Sequence, residues 1–334
     1  MTGTFIAAFL RGQRARLMLV ALGIAGLPAG VMAQADYPRR LVQVILPLQA
    51  GTGSDTAVRT LATRLSESMG QSFVVENLPA AGGLVGAEKV VKSAPDGYVL
   101  GAFNNGVLTV LPQIGTKAAF DPFTDFVPLG RIALIPSVLV VPADFPARSI
   151  AELVTLTKSA PGKFNYASVG VGSVQHLGME LLKAGTGINL THVPYKGGVQ
   201  AMVSVIAGET QAVFIGVSVA LQHVKSGKVR ALAVGGAQRS ALLPDVPTVQ
   251  EAGIAGFIYE PWLALYAPRG TPAALVTRLN AEIGKALAPA EVRDRLLLQG
   301  LEVRTSTPDE LAALIRSESQ EMAKVIKLAG IKAE

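Results

Sequence analysis

The sequence predicts an α/β protein built from two successive units, and three observations lead to this fold class. Strand-like apolar runs alternate with segments of helical spacing along the chain, an order typical of sheets whose strands are joined by crossover helices. The alternation begins afresh after Pro136. A Gly-x-Gly-Ser sequence follows a strand-like run at residues 51–54 and again at residues 170–173, which indicates that both units carry the same kind of loop.

The first unit contains three predicted strands. LVQVILPL (residues 41–48) reads as a buried strand, and apolar residues at helical spacing follow it over residues 58–69. SFVVEN (residues 72–77) is the second predicted strand, and the glycine-rich turn AAGGLVG (residues 80–86) then begins another helix. GYVLGAFN (residues 97–104) is the third predicted strand.

The second unit begins with the predicted strand SVLVVP (residues 137–142). Ser149 and Glu152 form the S-x-x-E pattern of a capping box at the start of the next helix. FNYASV (residues 164–169) leads into the second Gly-x-Gly-Ser sequence and a helix. Three more strands are predicted, separated by helices: INLTHVPY, QAVFIGV and VRALAVGG.

Two apolar segments border the second unit and predict a two-strand hinge. The chain enters the unit through FVPLGRIALIP (residues 126–136) and leaves it through EPWLALYAP (residues 260–268). The remaining chain reads as mostly helical, with Thr271-Pro272 and Thr307-Pro308 as helix starts that place proline at the first helical position. We therefore expect one domain of residues 36–133 plus 263–334, and a second domain of residues 134–262.

Residues 1–33 have the order of a secretory signal peptide. Arg11, Arg14 and Arg16 precede an apolar run at residues 17–27, and small residues follow at residues 31–35. Cleavage after Ala33 or after Ala35 fits equally well. The apolar run is shorter than the roughly 20 residues that span a bilayer, so an uncleaved membrane anchor is the weaker alternative.

Composition and charge exclude several classes of function. The chain has no cysteine, which excludes disulfides, thiol catalysis and cysteine-ligated metals. An exported chain without cysteine suits the bacterial periplasm or the cell surface. Without residues 1–33 the chain keeps 27 basic and 24 acidic residues, a formal net charge of +3. The basic residues are dispersed, so we expect no nucleic-acid partner.

The two glycine loops have the features of an anion site. We call residues 50–55 (AGTGSD) the first glycine loop and residues 169–174 (VGVGSV) the second glycine loop. A loop between a strand and a helix exposes backbone N–H groups at a helix N-terminus, where the helix dipole adds partial positive charge. Such a loop can bind an anion without lysine or arginine. The hydroxyls of Ser54 and Ser173 could donate further hydrogen bonds or cap the helices.

Other chemistries fit the sequence less well. Thr56 and Gln175 stand where G-x-G-x-x-G requires a third glycine, and no P-loop sequence is present. GVSVA around Ser218 lacks the last glycine of a G-x-S-x-G nucleophile elbow, which leaves a serine hydrolase as an alternative. The three histidines have no paired metal-ligand spacing. Of these, we expect His192 to be packed and His176 to face a cleft.

Several longer motifs together resemble one protein family. They extend over residues 37–332 and include ENLPAAGGLVGAEKVVKSAPDGY, DPFTDFVPL, GKFNYASVGVGSVQHL, THVPYKG, VKSGKVRALAV, RSALLPDVPTVQEAG and YAPRGTP. On these motifs the chain resembles the periplasmic receptors of tripartite tricarboxylate transporters, often called Bug proteins. The resemblance implies a two-domain periplasmic-binding-protein fold of type II, with parallel-rich sheets flanked by helices. It also implies that a cleft between the domains closes on a small carboxylate.

The resemblance implies a binding protein without enzymatic activity or a cofactor. The implied ligand is a small organic carboxylate, such as a dicarboxylate, tricarboxylate, acidic amino acid or aromatic acid. The implied partners are the membrane subunits of a tripartite tricarboxylate transporter, and we expect the receptor to be a monomer. A receptor that passes ligand signals to a membrane sensor is a second alternative beside the serine hydrolase.

The candidate ligand-binding residues lie in both glycine loops and at strand ends. In the first unit they are Gln49, Thr52, Gly53, Ser54, Asp55, Asn104 and Asn105. In the second unit they are Ser168, Gly170, Gly172, Ser173, His176, Tyr195 and Gly216. We expect the Asp55 carboxylate to cap the helix or organise loop donors instead of touching an anion. Trp262, at the border between the units, is expected to pack.

Departures from the family pattern cluster near the inferred cleft. The family commonly has Pro-Gly-Gly, a small polar pair and aspartate in the first loop, whereas this chain has Gln49 and Thr52 where proline and glycine are common. Leu78 replaces the usual arginine, and Ile215 stands where aspartate is often found. The identity of the ligand is therefore the property that transfers least from the family.

Overall fold

A computed structural model describes residues 37–79, 83–114 and 118–332. The predicted signal peptide, both candidate cleavage positions and residues 80–82 of the predicted glycine-rich turn lie outside these ranges. The described chain forms two mixed β-sheets flanked by helices, which confirms the α/β prediction.

The first sheet contains six strands in the order β11-β4-β10-β3-β1-β2. Their bounds are β1 Val42–Leu46, β2 Phe73–Asn77, β3 Val99–Asn104, β4 Phe126–Leu134, β10 Trp262–Pro268 and β11 Glu302–Val303. Strand β1 pairs in parallel with β2 and β3, whereas β10 runs antiparallel to both β3 and β4. The carboxyl ends of β1, β2 and β3 therefore share one edge of the sheet.

The second sheet contains five strands in the order β7-β6-β8-β5-β9. Their bounds are β5 Ser137–Pro142, β6 Asn165–Ser168, β7 Thr191–Pro194, β8 Ala212–Gly216 and β9 Val229–Val234. Strand β6 pairs in parallel with β7 and β8, and β5 runs antiparallel to β8 and β9. Each sheet thus combines three parallel strands with antiparallel neighbours that sequence periodicity had not indicated.

Helices connect the strands and cover the sheets. They are α1 Gly53–Met69, α2 Leu84–Val91, α3 Ile150–Ser159, α4 Val174–Thr186, α5 Gly198–Ile206, α6 Val217–Lys225, α7 Ala273–Leu287, α8 Ala290–Leu298 and α9 Pro308–Ala329. A π-helical turn, Gly106–Val110, and a 3-10 turn, Leu111–Gln113, follow β3. Within the described ranges, no helix combines the length and apolar character needed to cross a membrane.

The predicted helix starts agree with the structure in part. Thr307 caps α9 in a complete capping box with Glu310, and Pro308 is the first helical residue as predicted. The prediction for Pro272 was wrong, because this residue is the N-cap of α7 and lies outside the helix. Ser149 caps α3, but the Glu152 carboxylate accepts a hydrogen bond from the Arg148 amide, so the predicted box is only half formed.

The two sheets are connected by adjacent crossovers. The chain leaves the first sheet after Leu134, at the end of β4, and returns to it at Trp262, the first residue of β10. These two residues are partners in the antiparallel β4–β10 ladder. Beside them the Ile135 amide donates to the Pro261 carbonyl at 2.6 Å. The predicted entry and exit segments thus lie side by side.

A carboxylate on the last helix connects three elements near these crossovers. Glu318 Oε2 accepts a hydrogen bond from Trp262 Nε1 at 2.6 Å, and its Oε1 accepts one from Asn105 Nδ2 at 2.5 Å. Trp262 is only 1% exposed, so the expectation that it packs is confirmed. Burial raises the pKa of Glu318 to about 7, against the lowering effect of these two hydrogen bonds.

Glu318→Gln should change how stability depends on pH. The raised pKa means that the folded parent retains a proton that the unfolded chain releases between pH 4.5 and 7. The contribution of Glu318 to stability is therefore largest at low pH and is lost as pH rises through 7. Relative to Glu318→Gln, the parent should lose on the order of 1–3 kcal/mol between pH 5 and pH 8.

Urea denaturation at the two pH values measures this difference. The matched control is Asp309→Asn, which removes an exposed carboxylate in the first turn of α9, away from Glu318. Its stability relative to the parent should be nearly the same at both pH values. Equal pH dependence in the parent and in Glu318→Gln would contradict the prediction.

Candidate functional site

Most of the predicted site residues lie at the carboxyl edges of the two sheets. In the first sheet, the first glycine loop follows β1, and Asn104 ends the neighbouring parallel strand β3. In the second sheet, Ser168 ends β6, Tyr195 directly follows β7, and Gly216 ends β8. In open α/β sheets, ligands bind in the crevice outside these strand ends.

The first glycine loop is organised by Thr52 and Asp55. Thr52 is the N-cap of α1, where its hydroxyl accepts the Asp55 amide at 3.2 Å and donates to the Gln49 carbonyl at 3.0 Å. The Asp55 carboxylate accepts the Gly51 amide at 2.9 Å. Asp55 therefore organises the loop as expected. Ser54 does not cap the helix, because it already lies in the first turn of α1.

Asp55 is held as an anion by its neighbours. Its carboxylate accepts hydrogen bonds from Arg59 Nε at 3.0 Å and Asn77 Nδ2 at 2.9 Å, in addition to the Gly51 amide. Burial favours the neutral acid, but these hydrogen bonds and the Arg59 charge together lower the pKa of Asp55 below its usual value. The negative charge of Asp55 is thus balanced by the neighbouring Arg59.

The second glycine loop is held by three side chains. Ser173 is the N-cap of α4 and accepts the His176 amide at 3.3 Å, which confirms it as a cap. His176 Nδ1 accepts the Gly172 amide at 3.1 Å, and Ser168 Oγ accepts the Gly170 amide at 3.0 Å. The Gly170 and Gly172 amides thus already have acceptors within the loop, and a contact of these two glycines with a ligand stays a prediction.

The two loops correspond in a different register from the one their sequences suggest. Gly51 and Gly172 have φ of 81° and 75°, and each directly precedes the N-cap of its helix. In each loop the amide of this glycine binds the side chain four residues further on, which is Asp55 or His176. The equivalent of Gly51 is thus Gly172 and not Gly170, a shift of two residues.

This register identifies the backbone donors that remain. They are the amides of the first two residues of each helix, which have no acceptor within the described part of the chain: Gly53, Ser54, Val174 and Gln175. Helix N-termini with unpartnered amides attract anions. The sequence had indicated Gly53 and Ser54, whereas Val174 and Gln175 were missed because the loops were aligned on Gly-x-Gly-Ser.

Stacked rings pack behind the second loop. The His176 and His192 rings have centroids 4.2 Å apart, and the Tyr166 ring stacks on His192 at 5.1 Å. His192 Nε2 lies 2.5 Å from Ser168 Oγ, so His192 is packed as predicted. Burial, and secondarily the proximity of His192, lowers the pKa of His176 to about 4. His176 is only 5% exposed and is committed to the loop, contrary to the expectation that it faces a cleft.

Contacts connect the carboxyl edges of the two sheets. A β-carbon built on Gly172 would lie 3.0 Å from Ile114 Cδ1, next to the turns that follow β3. A β-carbon built on Gly300, between α8 and β11, would lie 2.4 Å from Ser218 Cβ and 2.8 Å from the Ser218 amide nitrogen. The second glycine loop after β6 and the start of α6 after β8 therefore approach segments that adjoin β3 and β11 of the first sheet.

Two other predicted residues have different surroundings from those expected. Asn105 is 1% exposed and donates to Glu318, so its side chain serves a structural contact, and its predicted hydrogen bond to a ligand or a bridging water stays a prediction. Ser218 is exposed in the first turn of α6, and within the described ranges no hydrogen bond joins its hydroxyl to a histidine. This arrangement does not support the nucleophile of a serine hydrolase.

An arginine-rich groove lies away from the second sheet. It has a volume of about 610 Å³, runs between α1 and α8 and includes Arg59, Arg64 and Arg295 in its lining. Arg59 binds Asp55, and Arg64 pairs with Glu67 and Glu291. Acidic side chains neutralise two of its arginines, which lowers the attraction of this groove for an anion.

Two residues with a role near the crossovers or the sheet edges were missed from the sequence. Gly300 gives no local signal beyond that of a helix-ending glycine. Glu318 gives one, because it falls between Ile315 and Met322 on the buried face of α9, where a charge is out of place. Its partners, however, are distant in the sequence.

The architecture is that of a two-lobed periplasmic solute-binding protein, with a glycine loop at the carboxyl edge of each sheet. The chain belongs to the tripartite tricarboxylate transporter family receptors, whose family model matches residues 57–331. Members of this family are periplasmic binding proteins.

Relatives over nearly the whole chain agree with this assignment. Protein BugT of Bordetella pertussis is 35% identical over 323 residues, which cover 94% of this chain and 98% of the relative. A protein of R. palustris solved with adipate is 32% identical, with a TM-score of 0.79 over 89% of this chain and 99% of that one. MatC of Rhodopseudomonas palustris, solved with malate, is 31% identical, with a TM-score of 0.76 over 87% and 100%.

Thr52→Ala and Ser173→Ala should each lower the free energy of unfolding by about 1 kcal/mol, because each removes a helix N-cap. Ser54→Ala is the matched control in the same loop and should change it by less than about 0.5 kcal/mol. Urea denaturation of the three variants measures these changes. A larger loss for Ser54→Ala than for Thr52→Ala would show that the cap is assigned to the wrong residue.

Proposed function

We propose that this chain captures a small dicarboxylate in the periplasm and delivers it to the membrane subunits of a tripartite tricarboxylate transporter. The observation that carries the proposal is the pair of helix N-termini at the carboxyl edges of the two sheets. Gly53, Ser54, Val174 and Gln175 offer unpartnered amides there. Four such donors can bind carboxylates without a buried arginine.

A dicarboxylate is favoured over a monocarboxylate because the donors form two separate groups. One group begins α1 after the first sheet, and the other begins α4 after the second sheet. The relatives solved with adipate and with malate both carry ligands with two carboxylates. Thr52, with an exposed side chain, and Asn104, at the end of β3, are the polar side chains best placed to select among such ligands.

The proposed binding mechanism is closure of two lobes. Residues 36–133 plus 263–334 would form one lobe and residues 134–262 the other, joined by the crossovers beside Ile135 and Pro261. Paired adjacent crossovers permit hinge bending with little change inside each lobe. The close approach of Gly300 to Ser218 supports a closed arrangement, because these residues belong to different lobes.

Titration with malate and adipate tests the proposed ligand class. The protein is expressed from Met1, recovered from the periplasmic fraction and checked by mass spectrometry, where the chain should begin at Gln34 or Asp36. A ligand at 100 times its dissociation constant should stabilise the protein by about 2.7 kcal/mol. Thermal shift over a carboxylate panel, followed by calorimetric titration, measures this effect.

Dimethyl adipate is the control ligand, because it keeps the carbon chain of adipate and lacks its charges. It should produce no thermal shift. The absence of any shift across the panel would reject the proposed ligand class. Turnover of the ester would instead favour the hydrolase alternative, which the surroundings of Ser218 oppose.

Gly300→Ala should impair closure. The added methyl group would meet Ser218 at less than van der Waals distance in the observed arrangement, and backbone of α6 cannot move aside as a flexible side chain could. We expect affinity for the best carboxylate of the panel to fall at least tenfold, about 1.4 kcal/mol. Solution scattering should also show a smaller ligand-induced decrease in the radius of gyration than in the parent.

Gly227→Ala is the matched control for backbone strain. Gly227 has φ of 69°, close to the 73° of Gly300, and a β-carbon there would have no neighbour within 4 Å. Both variants therefore carry the same left-handed strain, about 1–2 kcal/mol. Equal affinities for the two variants would mean that the Gly300 contact does not belong to the ligand-bound state.

A further inference from the structure

The two glycine loops share one construction but differ in the charge at its centre. In each, a side chain in the first turn of the helix accepts the amide of the glycine that precedes the N-cap. Asp55 does this as an anion in the first loop. In the second loop the acceptor is the Nδ1 atom of His176, an imidazole nitrogen without negative charge.

The residues one helical turn further on match this difference. Arg59 lies four residues after Asp55 and binds its carboxylate at 3.0 Å. Glu180 lies four residues after His176, where it accepts the Tyr166 hydroxyl and pairs with Lys183 at 2.6 Å. The first loop therefore has an arginine that neutralises its acidic acceptor, Asp55. At the equivalent position the second loop has the Glu180 carboxylate, which already binds Tyr166 and Lys183.

The state of His176 follows from its surroundings. The ring is buried against His192 at 4.2 Å, and the charged groups that face it are Glu180 and Lys183. Burial and His192 hold the pKa of His176 near 4, so the ring is neutral at periplasmic pH. A neutral ring has one nitrogen without a proton, and Nδ1 is that nitrogen because it accepts the Gly172 amide.

We propose that His176 is a positioning residue for carboxylate binding: as an uncharged acceptor for the Gly172 amide, it fixes the second loop without placing a negative charge at the N-terminus of α4. The inference rests on the proposed function, because it takes that helix N-terminus as part of the ligand site. His176 itself does not touch the ligand. Its role is to hold the loop so that the Val174 and Gln175 amides keep their orientation, without a negative charge beside them that would repel a carboxylate.

Three substitutions separate the parts of this role. His176→Asn keeps a neutral acceptor at the δ position, His176→Asp keeps the acceptor but adds a charge, and His176→Leu removes the acceptor. All three lose the ring stacking on His192, so differences among them do not arise from stacking. If His176→Leu does not fold, His176→Phe, which retains a ring without an acceptor, takes its place and is compared with the parent, which also has a stacked ring.

The first measurement uses no ligand. Amide hydrogen exchange at Gly172, followed by NMR, should remain slow in the parent, in His176→Asn and in His176→Asp. In His176→Leu it should be at least tenfold faster. Equal exchange in the Asn and Leu variants would overturn the assignment of His176 as the residue that fixes the loop.

The second measurement is calorimetric titration with malate and adipate. His176→Asn should bind within about threefold of the parent, whereas His176→Leu and His176→Asp should each lose at least tenfold, about 1.4 kcal/mol. If His176→Asp binds as tightly as His176→Asn, neutrality is irrelevant and the proposal is overturned. If His176→Leu binds as tightly as His176→Asn, the acceptor is irrelevant and the proposal is equally overturned.

The parent protein separates this inference from the proposed function. A parent that binds neither probe nor any other member of the carboxylate panel rejects the proposed function, and with it a role for His176 in carboxylate binding. If the parent binds malate or adipate and the His176 variants all bind it equally well, only the role of His176 is rejected.

Discussion

The antiparallel pairing of β4 with β10 is the constraint on which the rest of the structure depends. This ladder lies inside the first sheet, and its Leu134–Trp262 end is the point at which the chain leaves and re-enters that sheet. Because both crossovers begin from one ladder, the covalent connections between the two sheets lie at a single place, where the Ile135 amide donates to the Pro261 carbonyl. The carboxyl edges of the two sheets can then approach each other without any further covalent connection.

Charge is handled differently in the interior and at the sheet edges. Near the crossovers, Glu318 brings a carboxyl group into apolar surroundings and binds two N–H donors, from Trp262 and Asn105. At the edge of the first sheet, Asp55 is compensated by Arg59, and at the edge of the second sheet a neutral imidazole takes the same position. Negative charge at the N-terminus of α1 is thus balanced by Arg59, and at the N-terminus of α4 it is avoided, which suits the proposed binding of an anion there.

Local sequence signals predicted most of the fold because hydrophobic periodicity and helix capping depend on residues that are close together in the chain. All ten longer strands agree with the apolar runs, and the family motifs predict the two-domain fold with its helix-flanked sheets. The register of the two glycine loops could not be read in this way. The Gly-x-Gly-Ser pattern aligns the two loops by residue type alone. Which residues occupy equivalent positions in the two loops depends instead on which residue caps the helix and which side chain binds the amide of the preceding glycine. In this chain the N-caps Thr52 and Ser173 are the equivalent residues of the two loops.

The contacts that the sequence did not predict join residues that are far apart in the chain. Asn105 has the position of a ligand-binding residue, but its partner Glu318 is 213 residues away. The approach of Gly300 to Ser218 similarly depends on how two sheets are set against each other. Hydrophobic periodicity contains no information about such pairs, since it reports only which face of an element is buried.

Trp262 gives the molecule a built-in optical reporter. It is the only tryptophan of the chain, and its indole N–H donates to Glu318 beside the crossovers. Indole emission shifts with the electric field and polarity around the ring. Tryptophan fluorescence from the unlabelled protein therefore comes from one position, next to the ladder that connects the two sheets. Changes in its wavelength would record ionisation of that carboxyl group and rearrangement of the crossovers in real time, without a dye and without altering the chain.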